Sequence, residues 1–251
     1  MMRWILLGSF FVLATQMARA DDFRPLLEKR EFAGAGDGKL LYRLMKPENY
    51  DSKEKYPLVV FLHGMGERGD DNDAQLKHGV AEFAKPENRK KYPCFLMAPQ
   101  CPVTTTWSNF GMEFKKEPTP AMRLLLEAVP ALVKEFSIDD KRIYVTGLSM
   151  GGFGTWDAIV RMPDLFAAAV PICGGGDVKT AETIAKLPIW VFHGAKDTVV
   201  KPERSRSMVE ALKKAGGDPK YTEYPNESHA SWVPAYKDAE MFAWLFAQKK
   251  K

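Results

Sequence analysis

The stretch "YVTGLSMGGFGTW", residues 144–156, decides the fold. An apolar run leads into the pattern G-x-S-x-G, centred on Ser149, and a helical pattern follows it. In that context the serine sits on a sharp strand-to-helix turn with its hydroxyl thrust out, and the flanking Gly147 and Gly151 let the neighbouring elements close around it. A glycine-rich turn with a capping serine is the alternative. The strand before the motif and the helix after it favour a nucleophilic serine.

The same alternation of apolar runs and helical patterns extends along the chain. Runs that are apolar throughout indicate strands covered on both faces, and alternation with helices indicates a mostly parallel, doubly wound α/β sheet. The predicted strands are 56–64, 94–99, 142–147, 167–174, 188–194 and 220–225, after a hairpin that turns at "AGDGK" (35–39). The predicted helices are 72–85, 119–136, 150–161, 202–215 and 234–247. Residues 99–118 form the longest predicted loop.

The N-terminus has the pattern of an export signal. Arg3, an apolar run and "ARA" (18–20) correspond to a basic region, a hydrophobic region and a cleavage site. We therefore expect a signal peptide over 1–20, a single catalytic domain over 21–251, and a periplasmic or extracellular location. A buried N-terminal helix is the alternative. The run is short for a membrane span, and no membrane anchor is expected.

Charge and cysteine usage narrow the function further. The formal net charge of +4 is spread along the chain without an arginine-rich patch, so nucleic acid is not an expected partner. We interpret "RKKYP" (89–93) as a solvated loop. Cys94 and Cys101 flank a predicted strand that holds them apart, and with Cys173 the count is odd, so no disulfide framework is expected.

A nucleophilic serine needs a base and an acid, and in this topology they follow it in the order acid, then histidine. Of the two histidines after Ser149, His193 ends an apolar run and is interpreted as structural. His229, in the polar stretch "NESHASW", is the predicted base. Asp197, just past the strand 188–193, is the predicted acid that orients His229.

Two other aspartates and one loop complete the candidates. Asp177, in "GGGDV", is the rival acid, and Asp164 is interpreted as a cap or turn residue. The predicted oxyanion hole consists of the backbone N–H groups of Met150 and of Met65, in the loop "HGMGERGDD", with Gly66 as the runner-up to Met65.

The stretches "FLHGMGERGDD", "MAPQCP", "VFHGAKDTVV" and "ESHASW", together with the serine motif, resemble the α/β-hydrolase superfamily. Within it the chain is similar to the phospholipase/carboxylesterase and dienelactone-hydrolase-like serine esterases. It also resembles prolyl-oligopeptidase-type catalytic domains and secreted feruloyl or polyester esterases. Dienelactone hydrolases themselves use a cysteine nucleophile, whereas this chain has Ser149. The resemblance implies carboxylic ester hydrolysis through an acyl-enzyme, with no cofactor and no metal.

The expected substrate is a short-chain or aryl ester, either a small molecule or an acetyl or feruloyl group on a plant polysaccharide. Aromatic side chains beside the predicted catalytic edge are candidates to bind it, with ordinary packing as the alternative: Trp107, Phe110, Phe153 and Trp232. A serine peptidase of the prolyl-oligopeptidase type, a polyester depolymerase and a non-catalytic binding module are the other functions considered. Glu67 and Arg68 are expected to brace the oxyanion loop.

Overall fold

The computed structural model describes residues 22–36, 38–110 and 113–251, so the predicted signal peptide lies outside the described residues. Within these described ranges, eight strands form one sheet in the order β1-β2-β4-β3-β5-β6-β7-β8. They are β1 (Leu27–Ala33), β2 (Lys39–Met45), β3 (Tyr56–Leu62), β4 (Phe95–Gln100), β5 (Ile138–Leu148), β6 (Ala168–Ile172), β7 (Trp190–Gly194) and β8 (Lys220–Tyr224). The pairs β1–β2 and β2–β4 are antiparallel and the other pairs are parallel. The predicted fold class is confirmed.

Helices cover both faces of this sheet. They are α1 (Val80–Ala84), α2 (Pro86–Lys91), α3 (Pro120–Glu135), α4 (Met150–Arg161), α5 (Ala181–Ile184), α6 (Glu203–Lys214), α7 (Trp232–Lys237) and α8 (Ala239–Ala247). Alternate residues of β3 pack into different layers: Leu58 and Val60 belong to one hydrophobic cluster, Val59 and Phe61 to the other. Both faces of the strand are therefore buried, which explains its continuous apolar sequence.

Three local predictions were wrong. The helix predicted over 72–85 is instead a 3-10 turn (Ala74–Leu76) followed by the short α1, because Gly79 takes a left-handed φ of 77° between them. The helix predicted over 234–247 is divided into α7 and α8 by the extended Asp238, whose carboxylate caps α8. The basic residues 89–91, predicted as a loop, form the end of α2.

Two further findings concern the described part of the chain. The thiols of Cys94, Cys101 and Cys173 are free and buried. None of the described helices combines the length and the apolar character that crossing a bilayer requires.

Buried polar side chains fasten the loop 64–79 to the sheet. Gln100, at the end of β4, donates from its amide to the Glu67 carbonyl (3.2 Å) and to the Asp71 carboxylate (2.8 Å). Its amide oxygen accepts from the N–H of Asn72 at 2.7 Å. The loop is therefore fixed at the edge where the parallel strands end.

Arg43, on β2, makes a second attachment from the same side. Its guanidinium is buried and donates to the carbonyls of Asn72 (2.6 Å) and Leu27 (2.8 Å) and to the Asp73 carboxylate (2.9 Å). The exposed Arg24 also contacts Asp73, at 3.4 Å. The two arginines thus share a partner but differ in burial.

We predict that Arg43→Met lowers the free energy of unfolding by about 3 kcal/mol, because it leaves buried carbonyl groups without donors. Arg24→Met, the matched control, removes only solvent-exposed contacts, which are ion pairs with Asp22 and Asp73 and a contact with the Phe23 ring, and should change stability by about 0.5 kcal/mol or less. Urea unfolding followed by fluorescence measures both. Equal losses in the two variants would show that the buried attachment does not stabilise the loop.

Candidate active site

The serine of the G-x-S-x-G motif lies in a strained turn between β5 and α4. Ser149 has φ 52° and ψ −116°, a conformation that costs free energy for a residue with a Cβ atom. Its N–H donates to the Ile172 carbonyl at 3.0 Å, with the Cys173 sulfur at 3.3 Å. Bonds to the neighbouring strand therefore hold the turn in place and leave the hydroxyl free to face the sheet edge.

Glycines are required on both sides of this turn because backbones touch there. A Cβ atom added at Gly147 would lie 2.4 Å from the Gly151 carbonyl oxygen. A Cβ atom added at Gly151 would lie 1.9 Å from the Leu62 carbonyl oxygen, at the end of β3. Helix α4 therefore begins in direct contact with the backbone that leads into the loop 64–79.

The structure brings Ser149, His229 and Asp197 into one hydrogen-bonded chain. His229 Nε2 lies 2.9 Å from Ser149 Oγ, and His229 Nδ1 lies 2.7 Å from Asp197 Oδ2. The carboxylate accepts from Nδ1–H, which leaves Nε2 as the acceptor for the serine hydroxyl. This tautomer is the one in which the imidazole can take the serine proton.

Asp197 is buried, yet its surroundings favour the charged form. Burial raises the pKa of this carboxyl, but the His229 hydrogen bond and the N–H groups of Val199 and Val200 outweigh it and hold the pKa below its usual value. Those two N–H groups donate to Oδ1 at 2.8 and 2.9 Å. The anion that orients His229 is thus stabilised by fixed donors.

His193 is a neighbour of this carboxylate that the sequence did not assign to the site. Its Nε2 donates to the Val200 carbonyl at 2.9 Å and lies 3.2 Å from Asp197 Oδ2, while its Nδ1 accepts from the Ser205 hydroxyl at 2.7 Å. Burial lowers the pKa of His193, so the ring is neutral at neutral pH. It therefore supports the acid without adding charge.

Asp177, the alternative candidate for the acid, does not contact His229. Asp177 accepts from the N–H of Phe114 at 2.8 Å and from the N–H of Lys179 at 3.0 Å, so it joins the loop 99–118 to the loop after β6. His229 contacts Asp197 instead. Asp164 lies in the turn after α4, at the opposite end of that helix from Ser149.

Two of the predicted oxyanion donors, the N–H groups of Met150 and Met65, are unpaired within the described part of the chain. Met150 opens α4 and Met65 opens a 3-10 turn (Met65–Glu67), and among the described residues neither N–H donates to an acceptor. The N–H of Gly66 is free in the same sense. The unpaired N–H groups and the positive end of α4 make this a place where an anionic oxygen is stabilised.

The predicted aromatic residues divide into three environments, and one prediction needs correction. Trp107 is fully buried, stands edge-on to the His63 ring at 5.4 Å, and packs so closely on α4 that a Cβ atom at Gly154 would lie 2.5 Å from it. Its side chain packs between His63 and α4 and has no exposed surface, so the interpretation of Trp107 as ordinary packing fits the structure better than a role in substrate binding.

The other three lie nearer the surface. Phe153, one turn into α4, stands edge-on to Phe110 at 5.4 Å, and together with Trp156 they line a narrow cleft. Trp232, at the start of α7, stands edge-on to the His229 ring at 5.4 Å. Trp232 therefore contacts the His229 ring directly, whereas Phe110 and Phe153 belong to a separate cleft beside the start of α4. No group of three or more His, Cys, Asp or Glu side chains in the described segments is arranged to hold a metal ion.

Comparisons with known proteins show which family the fold and sequence resemble. A model of the dienelactone hydrolase family matches residues 106–243. A solved structure described as a thermostable esterase is 41% identical, with a TM-score of 0.85 over 91% of this chain and 64% of that one. A probable feruloyl esterase C from Aspergillus terreus is 30% identical over 63% of this chain and 55% of that protein. A bifunctional acetylxylan esterase/xylanase from Neocallimastix patriciarum is 26% identical over 72% of this chain and 26% of that protein.

The sheet order and the strained turn at Ser149 define an α/β-hydrolase. The chain belongs to the dienelactone hydrolase family, whose model matches more than half of its length. This confirms both the resemblance and the predicted enzyme class, that of the carboxylic ester hydrolases. The chain spans about a quarter to about a half of the length of the two named relatives.

The contact between α4 and β3 leads to a stability prediction. Gly151→Ala should cost several kcal/mol or prevent folding, because its Cβ atom would overlap the Leu62 carbonyl. Gly66→Ala is the matched control, since no atom lies within 4 Å of an added Cβ there, and its stability should be unchanged or slightly higher. Urea midpoints of the two variants measure the difference. A stable Gly151→Ala variant would mean that the turn is looser than the structure shows.

Proposed function

We propose that this protein is a serine carboxylesterase that hydrolyses short-chain or aryl esters through Ser149, His229 and Asp197. The observation that carries the proposal is the unbroken chain of hydrogen bonds from the Ser149 hydroxyl through the His229 ring to the buried Asp197 carboxylate. A solvated or merely structural serine does not require a strained backbone, a base and a buried acid together.

In the proposed mechanism, Ser149 Oγ attacks the ester carbonyl carbon while His229 Nε2 takes the hydroxyl proton. The resulting oxyanion accepts hydrogen bonds from the N–H groups of Met150 and Met65. As the tetrahedral intermediate collapses, His229 gives its proton to the departing alcohol and an acyl-enzyme remains. A water molecule, deprotonated by His229, releases the acid in the same two steps.

The acyl group is proposed to lie among Phe110, Phe153 and Trp232. Phe153 follows Ser149 by one helical turn, and its N–H donates to the Ser149 carbonyl at 3.0 Å. The aromatic rings of these residues offer flat apolar contacts suited to an acetyl group or an aryl acid. The feruloyl and acetylxylan esterases among the relatives make polysaccharide-linked esters the first substrates to test.

We also propose that residues 1–20 act as a signal peptide and that the domain over 21–251 functions after export. The support is the sequence pattern alone: a basic residue, an apolar run and "ARA" at 18–20. Expression of the full chain in a bacterial host, followed by N-terminal sequencing of the exported fraction, should give a chain starting at Asp21. A chain that keeps Met1 would contradict this.

Ser149→Ala should abolish ester turnover, because it removes the attacking oxygen. Loss of such a nucleophile typically lowers kcat by about 10⁴-fold or more. Stability should change little, because the substitution removes one small hydroxyl group and leaves the Cβ atom and the backbone of the turn unchanged. Initial rates on p-nitrophenyl acetate, with urea unfolding as the folding control, measure both. If the variant keeps most of the activity, Ser149 is not the nucleophile.

Asp197→Asn should lower kcat by orders of magnitude, because a neutral amide no longer fixes the His229 tautomer or stabilises its protonated form. Asp177→Asn is the matched control: it weakens a loop contact and should have a much smaller effect. Steady-state kinetics on one ester compares them directly. The reverse ranking would make Asp177 the acid.

The length of the acyl group should distinguish an esterase from a lipase. The segment 178–187 holds only a 3-10 turn and the one-turn α5, so the edge near the serine lacks a helical covering from this segment. Each CH₂ group that is buried contributes about 0.8 kcal/mol to binding. An open site buries little of a long acyl chain, so it gains little of this energy. Across p-nitrophenyl esters of two to sixteen carbons, kcat/KM should peak at short acyl groups. A maximum at the long end would favour a lipase, and faster cleavage of aminoacyl-nitroanilides would favour a peptidase.

A further inference from the structure

His63 is a buried histidine that the proposed mechanism does not use. It follows β3 directly, and only 1% of its surface is exposed. Its Nδ1 lies 2.6 Å from the carbonyl oxygen of Gly64, the next residue in the chain. Its Nε2 lies 2.9 Å from the backbone nitrogen of Cys101, at the end of β4. Both ring nitrogens are therefore engaged with backbone groups.

The two contacts determine where the ring proton lies. The backbone nitrogen of Cys101 can only donate, so Nε2 must accept. The carbonyl of Gly64 can only accept, so Nδ1 must carry the proton and donate it. Burial lowers the pKa of His63 to about 4, which keeps the ring neutral at neutral pH. His63 is thus a neutral histidine with a single tautomer.

The Gly64 carbonyl belongs to the same peptide unit as the N–H of Met65. The described chain contains no cis peptide bond, and in a planar trans peptide the C=O and N–H bonds point in opposite directions. A donor that holds the Gly64 oxygen on one side therefore fixes the direction of the Met65 N–H on the other. It also opposes rotation of the peptide when negative charge develops beside it.

We propose that His63 is a positioning residue that aims the Met65 N–H at the oxyanion. The proposal rests on the proposed function, since it needs an oxyanion to form at Ser149. Through its second bond, to Cys101, the ring connects this peptide to the residue directly after β4 and so to the sheet. The direction of the donor is thereby set before the substrate binds, which is the condition for effective electrostatic stabilisation.

The neighbouring peptide provides a comparison within the same loop. The Met65 carbonyl, in the peptide that carries the Gly66 N–H, accepts from Arg68 Nε at 3.3 Å. The same guanidinium donates to the carbonyls of Val103 and Thr105 at 3.0 and 3.2 Å. If Gly66 rather than Met65 were the donor, Arg68 and not His63 would hold the relevant peptide.

Two amide substitutions separate the two bonds of His63. In His63→Asn the side-chain amide nitrogen can occupy the position of Nδ1 and donate to Gly64, while the bond to Cys101 is lost. In His63→Gln the amide reaches the position of Nε2 and can accept from Cys101, while the bond to Gly64 is lost. Each variant thus keeps one buried hydrogen bond and removes the other. The two variants lose the same number of bonds, but only His63→Gln loses the bond to Gly64.

We expect His63→Gln to lower kcat on p-nitrophenyl acetate by about 10- to 100-fold with little change in KM, a smaller effect than removal of a donor. Affinity for a trifluoromethyl ketone, which forms a tetrahedral adduct with the serine, should fall by the same factor. His63→Asn should keep kcat within about threefold of the unsubstituted protein. Arg68→Met should lower kcat less than His63→Gln does.

Equal loss of kcat in the Asn and Gln variants would overturn the proposal. A histidine with a purely structural role would affect both variants alike, whichever of its two hydrogen bonds is lost. A larger effect of Arg68→Met would overturn it in favour of Gly66. If a variant fails to fold, ¹⁵N spectra of the unsubstituted protein decide instead: a ring proton on Nε2 of His63 contradicts the proposal, and one on Nδ1 together with a shift of the Met65 amide on ketone binding supports it. Absence of any ester turnover in the unsubstituted protein would instead reject the proposed function.

Discussion

The close approach of α4 to β3 at Gly151 is the contact on which the rest of the site depends. Because a backbone carbonyl occupies the space of a Cβ atom there, the helix can start beside the end of β3 and directly after Ser149. That start places the N–H of Met150 at the serine and forces the serine into a left-handed conformation. The positions of Ser149, of the Met150 N–H and of the start of α4 therefore follow from one packing arrangement.

The remaining groups reach the serine because parallel strands end at a common edge. The loops after β3, β7 and β8 supply Met65, Asp197 and His229 from both sides of β5. Two of these loops are held by buried polar groups: Gln100 and His63 contact the loop after β3, and His193 and the N–H groups of Val199 and Val200 surround Asp197 in the loop after β7. Site residues that lie on loops are thus held in place by contacts with the strands.

Much of this arrangement could be predicted from the sequence, because it depends on local patterns. Three patterns can be read directly from the sequence: the serine motif, the continuous apolar strands, and the order of acid and histidine along the chain. Together they identified the three residues that the structure brings together. Helix α3 and helix α6 were predicted within a residue of their observed ends for the same reason.

What could not be predicted depends on contacts between distant residues. The break in the region 72–85 follows from Gly79 and from side chains on β2 and β4 that hold the loop. Trp107 and Phe153 are both aromatic residues near the catalytic edge, and only packing shows that the first is buried under α4. The roles of His63 and His193 rest on backbone partners, Cys101 and Val200, that no spacing pattern reveals.

The most direct test is covalent labelling of the native protein with a fluorophosphonate, followed by peptide mapping with mass spectrometry. Such a reagent reacts with a serine only where a base and an oxyanion site activate it. We expect a single adduct, on the peptide that contains Ser149, and its loss when the protein is unfolded first. A native protein that stays unlabelled, or that carries the adduct on another residue, would contradict the assignment of Ser149 as an activated nucleophile.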